Sequence, residues 1–569
     1  MARDLLKKFR GIHLFLFLTC IYALYKSVSW IPAVEGDGVM LPQAIALAEG
    51  KLLYLDIFEQ YGTLVPLVQF PFLKIFGYKI IVIRYIGIFV ILLVALLSYL
   101  IISKISSKKI ATLSSLLVIS SQPSWNVFNN KTWPIENLVW FNSYGLLFYL
   151  LTFYLLIKIK TNDQGIYTYV LIALAAFASF LAANARVDLI FPNLFFLTYV
   201  AIFSNYGKRI KYIYIIISAL CYITFLIFLE KTKTFNYFFE QLFMPTLNGD
   251  NKAVFSAPPE FYLKNIFTQI VSCTILFGLL YLTFYKIAKF KSQALFMVSF
   301  LLFITFLSKD LINLFNPPSK INSFMYLVTS DFILSYITLL IFSSLFIVTS
   351  LTLQKKWTTT DQDEGHIKIL YYCFPLTLLP TLHNLSLFYQ YMIFSPFLIS
   401  FLHFVETNYR SNKVTYSRIT SLISAFAISL TICSISIFFV AESKMTYSYK
   451  YPTLQGMVDS DKSNLKVIES QLYYIDKLVK GNNLSIDCGA ALFSVSKNGY
   501  VVNSRYPSLV VSKTHNLLKD SYNDSKTVYF LCGISQNDVD NLLSNSKIKI
   551  LAKLPYFEKN YSVFYTKLD

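Results

Sequence analysis

Long apolar runs separated by short polar connections make up the chain from its start to about residue 441. Because about 20 residues of helix cross a hydrocarbon core, each run of roughly that length predicts a transmembrane helix. About 13 such spans are predicted on this basis. They are 11–31, 79–103, 110–125, 136–157, 166–183, 189–204, 212–230, 265–285, 293–308, 329–353, 369–382, 386–405 and 419–441.

The first long connection, residues 32–78, contains two apolar segments that are too short to cross a bilayer. Residues 39–48 have a helical pattern that Gly50 closes, and residues 64–76 contain two prolines and end before Gly77. Both segments are therefore predicted to lie on the membrane surface. A connection that lies down in this way is expected to shape a cavity at the depth of the lipid headgroups.

The pattern changes near residue 445, which marks a second region that runs to residue 569. Apolar positions recur at helical spacing over 463–480, and a second short helix is predicted near 535–545. The remaining apolar runs are short and rich in β-branched and aromatic residues, which predicts strands. These strands are 483–488, 499–502, 527–532, 546–552 and 561–566. The predicted fold is therefore a multi-span α-helical membrane domain, residues 1–444, followed by a small α/β domain, residues 445–569.

Composition and charge indicate the class of protein and its orientation. Hydrophobic residues make up 55% of the 569 residues and charged residues 14%, which leaves too little polar surface for a soluble globule. The net charge is +19, and Lys and Arg concentrate in alternate connections, as they do on the cytoplasmic side of membranes. The N-terminus is therefore predicted to be cytoplasmic and the C-terminal domain extracytoplasmic, in a bacterial plasma (inner) membrane. Since the charge marks topology, no nucleic-acid partner is predicted.

The two cysteines of the outer domain, Cys488 and Cys532, each stand at the end of a predicted strand. An oxidising compartment allows them to form a disulfide. The sequence does not set the Cα separation that a disulfide needs. A bridge and two free thiols therefore remain equal alternatives.

Five acidic residues and a single Lys lie between Glu35 and Gly62 of the first outer connection. The acidic residues are Glu35, Asp37, Glu49, Asp56 and Glu59. Carboxylates held together at a bilayer surface are costly, which is typical of a reaction site. Asp37 lies between Gly36 and Gly38, which allow the backbone and a substrate to approach closely. From spacing alone, Asp37 is equally suited to cap the helix that follows it, because Asp is a favoured N-cap residue.

The first outer connection resembles that of the GT-C superfamily. These membrane glycosyltransferases use polyprenyl-phosphate sugars and include the protein mannosyltransferases and the aminoarabinose transferases. The resembling features are an acidic residue after the first span, a surface helix that ends in Gly, the stretch from Leu53 to Gly62, and an apolar segment that ends in Ile-Phe-Gly77 before Arg84. The resemblance extends over about 5–440 in architecture and is motif-like only over 35–84.

Two later stretches are similar to further GT-C patterns. Arg186-Val-Asp188, at the outer end of the fifth span, resembles an Arg-x-Asp of many bacterial members. Gln390-Tyr391 lies before a late helix, where relatives often have Arg-Tyr, so that Gln390 occupies the position of that Arg.

The resemblance implies a reaction and a role for several residues. A sugar, hexosyl or pentosyl, passes from a polyprenyl-phosphate donor to a glycan, lipid or protein acceptor on the outer face of the membrane. Asp37 is placed as the general base, Asp56 and Glu59 as supporting acids, and Arg84 and Arg186 as ligands of the donor phosphate. Further substrate contacts are expected from Glu35, Tyr61, Asp188, His383, Gln390 and Tyr391. The acids are compatible with a divalent cation, but no ligand spacing requires a metal or another cofactor.

Each role has a structural alternative. Asp56 and Glu59 are equally readable as solvated loop charges, Arg84 as an interfacial anchor that snorkels to the headgroups, and Arg186 as the local partner of Asp188. Two other functions also fit a protein of this class. A lipid-linked glycan flippase or transporter places its functional charges inside the bundle, and an O-antigen polymerase or ligase relies on basic residues of later outer loops.

Overall fold

The computed structural model describes most of the first 241 residues and parts of the remainder. The described residues are 2–28, 36–55, 59, 62–124, 141–159, 165–239, 241, 369–371, a set of helical positions between 395 and 439, and the strands and neighbouring positions between 447 and 567. Predictions at 265–285, 293–308, 329–353, 463–480 and 499–502 lie outside these residues.

The described N-terminal part is helical, as the apolar runs predict. Its helices are α1 Ala2–Ser27, α2 Gly36–Ala48, α3 Leu64–Phe76, α4 Ile80–Ile105, α5 Lys108–Ser124, α6 Phe141–Leu156, α7 Ile166–Ala185, α8 Ile190–Thr198 and α9 Lys208–Lys231. A short 3₁₀ turn, Val187–Leu189, joins α7 to α8, and α8 continues into a π-helical turn, Tyr199–Phe203.

Three of the described helices are long and apolar enough to cross a membrane. They are the segments Ile81–Ile105, Ile166–Ala185 and Lys208–Lys231. Shorter apolar helices occur at Leu14–Ser27, Leu64–Phe76, Phe141–Leu156 and Ile190–Phe203. The described residues of each of the first seven predicted spans, up to residue 230, are therefore mostly helical. The described positions within 369–382, 386–405 and 419–441 are helical too, and the total of about 13 spans stays a prediction.

Helix α7 presents large apolar side chains outward and several small ones inward. On α7, Ala175 and Ala182 are buried, whereas Val170, Leu174 and Phe177 are exposed. Small residues let helix backbones approach closely, and large exposed apolar side chains are compatible with lipid contact. Most of the α9 surface is also apolar and exposed, at Tyr212, Ile215, Ile216, Leu220 and Ile223. These surfaces agree with a helical bundle that sits in a bilayer.

Polar side chains within the bundle connect α7, α8 and α9. The Ser179 hydroxyl donates to the Asn193 Oδ1 atom at 2.7 Å, and the Asn193 amide nitrogen donates to the Ser179 carbonyl at 3.3 Å and to the Tyr222 hydroxyl. Such interhelical bonds stabilise contacts between helices where no water is available to replace them.

The first surface helix is longer and more buried than its apolar pattern predicts. α2 begins at Gly36, three residues before the predicted start, so Pro42 lies in its interior and leaves the Gly38 carbonyl without a helical hydrogen bond. Met40, Leu41 and Ala44 are completely buried against the bundle. α2 therefore buries these side chains against protein, and its predicted position on the membrane surface stays a prediction.

Gly50 ends α2 as the sequence predicts, and the hydrogen bonds show how. Lys51 N–H donates to the Ala46 carbonyl at 2.9 Å and Gly50 N–H to the Leu47 carbonyl at 3.0 Å, which is a Schellman motif. The motif needs a left-handed residue, and Gly50 has φ +84°. The chain therefore leaves α2 in a fixed direction.

The C-terminal part contains two sheets. Strands β1 Tyr447–Tyr451 and β2 Gly456–Ser460 form an antiparallel pair, whereas β3 Asn483–Asp487, β4 Thr527–Ile534, β5 Ile548–Pro555 and β6 Tyr561–Lys567 form a sheet in the order β3-β4-β6-β5. β3 and β4 are parallel, and the other two pairings of that sheet are antiparallel. Four predicted strands are therefore confirmed. The domain boundary at 444/445 stays a prediction.

The register of β3 and β4 bears on the predicted disulfide. Asp487 lies opposite Leu531, one residue before each cysteine. Cys532 lies within β4 and not at its end, because β4 extends to Ile534. Cys488 is outside the described residues, so the disulfide stays an open prediction.

Candidate functional site

The first outer connection, residues 32–78 with its five acidic residues, packs against the helix ends that carry the two predicted phosphate ligands. α2 and α3 pack on each other, and both contact α4, whose first turns include Arg84. α3 also contacts α7, whose C-terminal cap is Arg186. Positions predicted from separate spans are therefore brought to one end of the helical bundle.

Arg84 is held inside the protein at this end. Its side chain is 1% exposed, and its Nη1 atom donates to the main-chain carbonyl of Val28, just beyond α1, at 2.6 Å. Arginine side chains are almost never fully buried without partners. Here a neutral main-chain carbonyl orients the guanidinium group of Arg84. The alternative of a side chain that snorkels to an open interface is wrong for Arg84.

Arg186 is buried in a similar way at the end of α7. Its main-chain N–H donates to the Ala182 carbonyl at 3.2 Å, and its Nη1 atom donates to the Asn142 Oδ1 atom in the first turn of α6. Arg186 is 2% exposed and Asn142 0% exposed. The amide therefore fixes the direction of the guanidinium. The side chain of Asp188 lies outside the described residues, so its predicted pairing with Arg186 stays untested.

Glu59 is the described acid of the connection that lies deepest. It is 0% exposed, and its Oε1 atom accepts the Gly62 N–H at 3.4 Å. Burial and the nearby Glu59 carboxylate raise the pKa of Tyr54 well above its usual value. The alternative of a solvated loop charge is therefore wrong for Glu59.

Gly62 brings the connection into contact with the end of α7. A Cβ atom at this position would lie 2.1 Å from the Asn184 carbonyl oxygen and 2.8 Å from the Asn184 carbonyl carbon. No side chain fits there, because the obstructing atoms belong to main chain. The contact places Gly62 beside Asn184, which is two residues before Arg186 in the chain.

Asp37 lies in the first turn of α2. α2 begins at Gly36, so Asp37 is a helical residue and does not precede the helix. The structure therefore does not place Asp37 at the N-cap position. A negative charge in a first turn is favoured by the helix dipole. The Asp37 side chain is outside the described part of the chain, and its role as general base stays a prediction.

The other predicted contacts are not tested by the described coordinates. Glu35, Asp56, Tyr61, His383, Gln390 and Tyr391 lie outside the described residues, and Asp188 is described only by its main chain, in the 3₁₀ turn. Among the side chains that the structure does describe, no group of three or more His, Cys, Asp or Glu is placed to hold a metal ion. Most acids of the first outer connection have side chains outside the described part of the chain, so this statement does not cover them.

Two residues of this region have no local signal in the sequence. Asn142 is one polar residue near the start of an apolar run, and Gln241 follows α9 without any motif. Both act through partners far away in the chain, 44 residues for Asn142 and Arg186 and 182 residues for Gln241 and Glu59. The polar interruption Asn142-Ser143 within an apolar run is the only signal that was available for either residue.

Comparison with known proteins gives structural neighbours alone. No protein-family model matches the chain, and no curated protein matches it. Among solved structures, the chain is similar to apo ArnT from Cupriavidus metallidurans, with 10% identity, a TM-score of 0.45 and coverage of 98% of each chain. The form of ArnT bound to undecaprenyl phosphate gives 10% identity and a TM-score of 0.46, over 97% of this chain and 98% of that one.

A second kind of neighbour is archaeal. The oligosaccharyltransferase AglB from Archaeoglobus fulgidus, in complex with an inhibitory peptide and a dolichol-phosphate, gives 10% identity and a TM-score of 0.45, over 91% of this chain and 69% of that chain. Likenesses of this extent concern the path of the chain and say nothing of its reaction.

Proposed function

We propose that the protein is an integral membrane glycosyltransferase that moves a sugar from a polyprenyl-phosphate donor to an acceptor on the outer face of the membrane. The observation that carries this proposal is the meeting of the acidic connection with the helix ends that hold Arg84 and Arg186. Acid–base chemistry and phosphate recognition need opposite charges close together at the level of a lipid headgroup. The described contacts support such a meeting.

The reaction is a displacement at the anomeric carbon. The acceptor hydroxyl transfers its proton to the Asp37 carboxylate while its oxygen forms a bond to that carbon. The bond between the anomeric carbon and the phosphate oxygen breaks, and its electron pair leaves with the polyprenyl phosphate. A single step of this kind inverts the configuration of the sugar. The acceptor is a glycan, a lipid or a protein.

The two arginines act on the leaving phosphate. Negative charge grows on the phosphate oxygen as the bond to the sugar breaks, and nearby cations lower the energy of that state. Because Arg84 and Arg186 are buried, their fields act through a medium of lower dielectric than water. Because both side chains are buried, direct contact with the phosphate requires the residues packed over them to rearrange. The Asn142 amide and the Val28 carbonyl, both neutral, keep the guanidinium groups oriented.

Replacement of Arg186 by Lys is expected to raise the donor KM about tenfold, since a point charge does not reproduce the planar fork of a guanidinium. The measurement is the rate of donor consumption against donor concentration in reconstituted vesicles. Arg209→Lys is the matched control, because Arg209 is an exposed arginine in the first turn of α9. An unchanged KM for Arg186→Lys, with normal expression, removes the phosphate role from this residue.

The proposed function itself is tested with purified protein in proteoliposomes. A polyprenyl-phosphate sugar, labelled in the sugar, is supplied with a cell-envelope extract as the source of acceptor. Transfer is expected to release polyprenyl phosphate and to move the label into acceptor. A transporter leaves the donor chemically intact while it changes leaflets, so intact donor after prolonged incubation contradicts the proposal.

A further inference from the structure

One side chain, Gln241, bonds to both ends of the segment from Tyr54 to Glu59. Its Oε1 atom accepts the main-chain N–H of Glu59 at 2.8 Å, and its Nε2 atom donates to the main-chain carbonyl of Tyr54 at 2.7 Å. Gln241 is 4% exposed. Because one partner is a donor and the other an acceptor, only an amide-like group satisfies both. The segment between these two bonds contains Asp56.

The segment begins with a strained residue. Tyr54 has φ +68°, a left-handed value that residues other than Gly rarely adopt without strain. Its ring is 2% exposed and meets Phe238 edge-on, with 5.1 Å between the ring centroids. The Gln241 bond to the Tyr54 carbonyl holds the main chain of the same residue. Such strain persists where the surroundings over-determine it, which is typical of functional sites.

The residues that carry Gln241 pack on the acidic connection as well. Ala46, Leu53 and Tyr54 form a buried apolar cluster, against which Tyr237 and Phe238 pack. The segment 232–241, which follows α9, therefore supports the end of α2 and the start of the acidic segment. Its own path contains Lys233 with φ +57°, the other non-glycine residue of positive φ in the described part of the chain.

We propose that Gln241 is a positioning residue that holds the main chain at Tyr54 and at Glu59 and thereby places the Glu59 carboxylate for reaction. This inference rests on the proposed function. Gln241 touches neither donor nor acceptor in this role, and it acts through the main chain of the segment that it holds. Loss of its two bonds releases the strained turn at Tyr54, and the Glu59 carboxylate then moves from its working position.

Three variants test the proposal in the full chain, reconstituted in vesicles. Gln241→Met keeps the length and packing of the side chain but removes both bonds, and it is expected to lower kcat at least about tenfold, because displacements of about 1 Å carry losses of that order. The donor KM is expected to stay within about threefold. Gln69→Met is the matched control, since Gln69 is equally buried but bonds a side chain, the Tyr144 hydroxyl, at 3.3 Å.

Gln241→Glu supplies a readout that a merely structural role does not move. A protonated carboxyl group accepts and donates as the amide does, whereas the ionised group cannot donate to the Tyr54 carbonyl. Burial beside Glu59 raises the pKa of the introduced group above its ordinary value. The kcat of this variant, divided by that of the natural protein at each pH, is therefore expected to fall as the pH rises.

Hydrogen exchange separates this inference from the proposed function. Peptides that cover residues 52–62 are expected to exchange faster in Gln241→Met than in the natural protein, whether or not donor is consumed. Three results would overturn the positioning role. One is unchanged exchange in Gln241→Met, and another is an activity that falls in step with thermal stability equally in Gln241→Met and Gln69→Met. The third is a kcat ratio for Gln241→Glu that does not change with pH. If exchange is faster in Gln241→Met but the natural protein never consumes donor, Gln241 still holds the segment, whereas its catalytic purpose and the proposed function are both overturned.

Discussion

Asp37→Asn is expected to lower donor consumption at least about 100-fold, the smallest effect usual for loss of a general base. Asn is similar in shape to Asp but does not take the acceptor proton at neutral pH. Asp37 occupies the first turn of α2, and α2 is held by its buried residues and by the Schellman motif at Gly50. The helix is therefore expected to keep its place in the variant. The measurement is single-turnover release of polyprenyl phosphate from labelled donor.

Glu49→Gln is the matched control for Asp37→Asn. Glu49 belongs to the same acidic connection, but it is exposed and pairs with Lys51, with 3.8 Å between the charged atoms. Exposed pairs of this kind contribute little to stability, so the rate is expected to stay within about twofold of the natural rate. A normal rate in Asp37→Asn, at equal expression, would remove the base from its assigned position and leave the dipole at the start of α2 as the reason for an acid there.

Gly62→Ala is expected to have the second large effect, through space and not through backbone strain. Its new methyl group would lie 2.1 Å from the Asn184 carbonyl oxygen, and neither main chain has a rotamer that relieves the overlap. The acidic connection must then move away from the end of α7. A displacement of about 1 Å is enough to lower the rate about 100-fold, and the melting temperature is expected to fall as well.

Gly50→Ala distinguishes crowding from backbone strain. Gly50 has φ +84°, so that a side chain is strained there, but no atom lies within 4 Å of the added methyl group. A loss of about 1 kcal/mol in stability is expected, with activity within about twofold of normal. If both alanine variants were equally active, close contact between Gly62 and Asn184 would have no part in the reaction.

Local pattern was sufficient for the helices and for most strands, because apolar periodicity is set by residues three to four or two positions apart. The strands β1 and β2 were not predicted, although Tyr447-Ser-Tyr-Lys-Tyr451 alternates aromatic with polar residues. The stretch lies at the start of the second region, where no strand is predicted before residue 483. The start of α2 was missed because Gly-Asp-Gly has low helix propensity and is overridden by the buried side chains that follow.

The candidate site was predictable in its positions but not in its contacts. The ends of predicted spans indicate where Arg84 and Arg186 stand, yet nothing in the sequence shows that both are buried. Their partners Val28 and Asn142, and the bonds of Gln241, depend on which helix ends meet in space. Charged residues at span ends are compatible with lipid, water or protein around them, and only packing decides among the three.

Burial of Arg84 and Arg186 also bears on how the protein responds to its ionic surroundings. Dissolved ions screen exposed charges over about 8 Å at physiological ionic strength, but they screen enclosed charges much less. Attraction of an anionic headgroup by enclosed guanidinium groups is therefore expected to survive the swings in salt that a cell envelope meets, whereas attraction by surface lysines would fade.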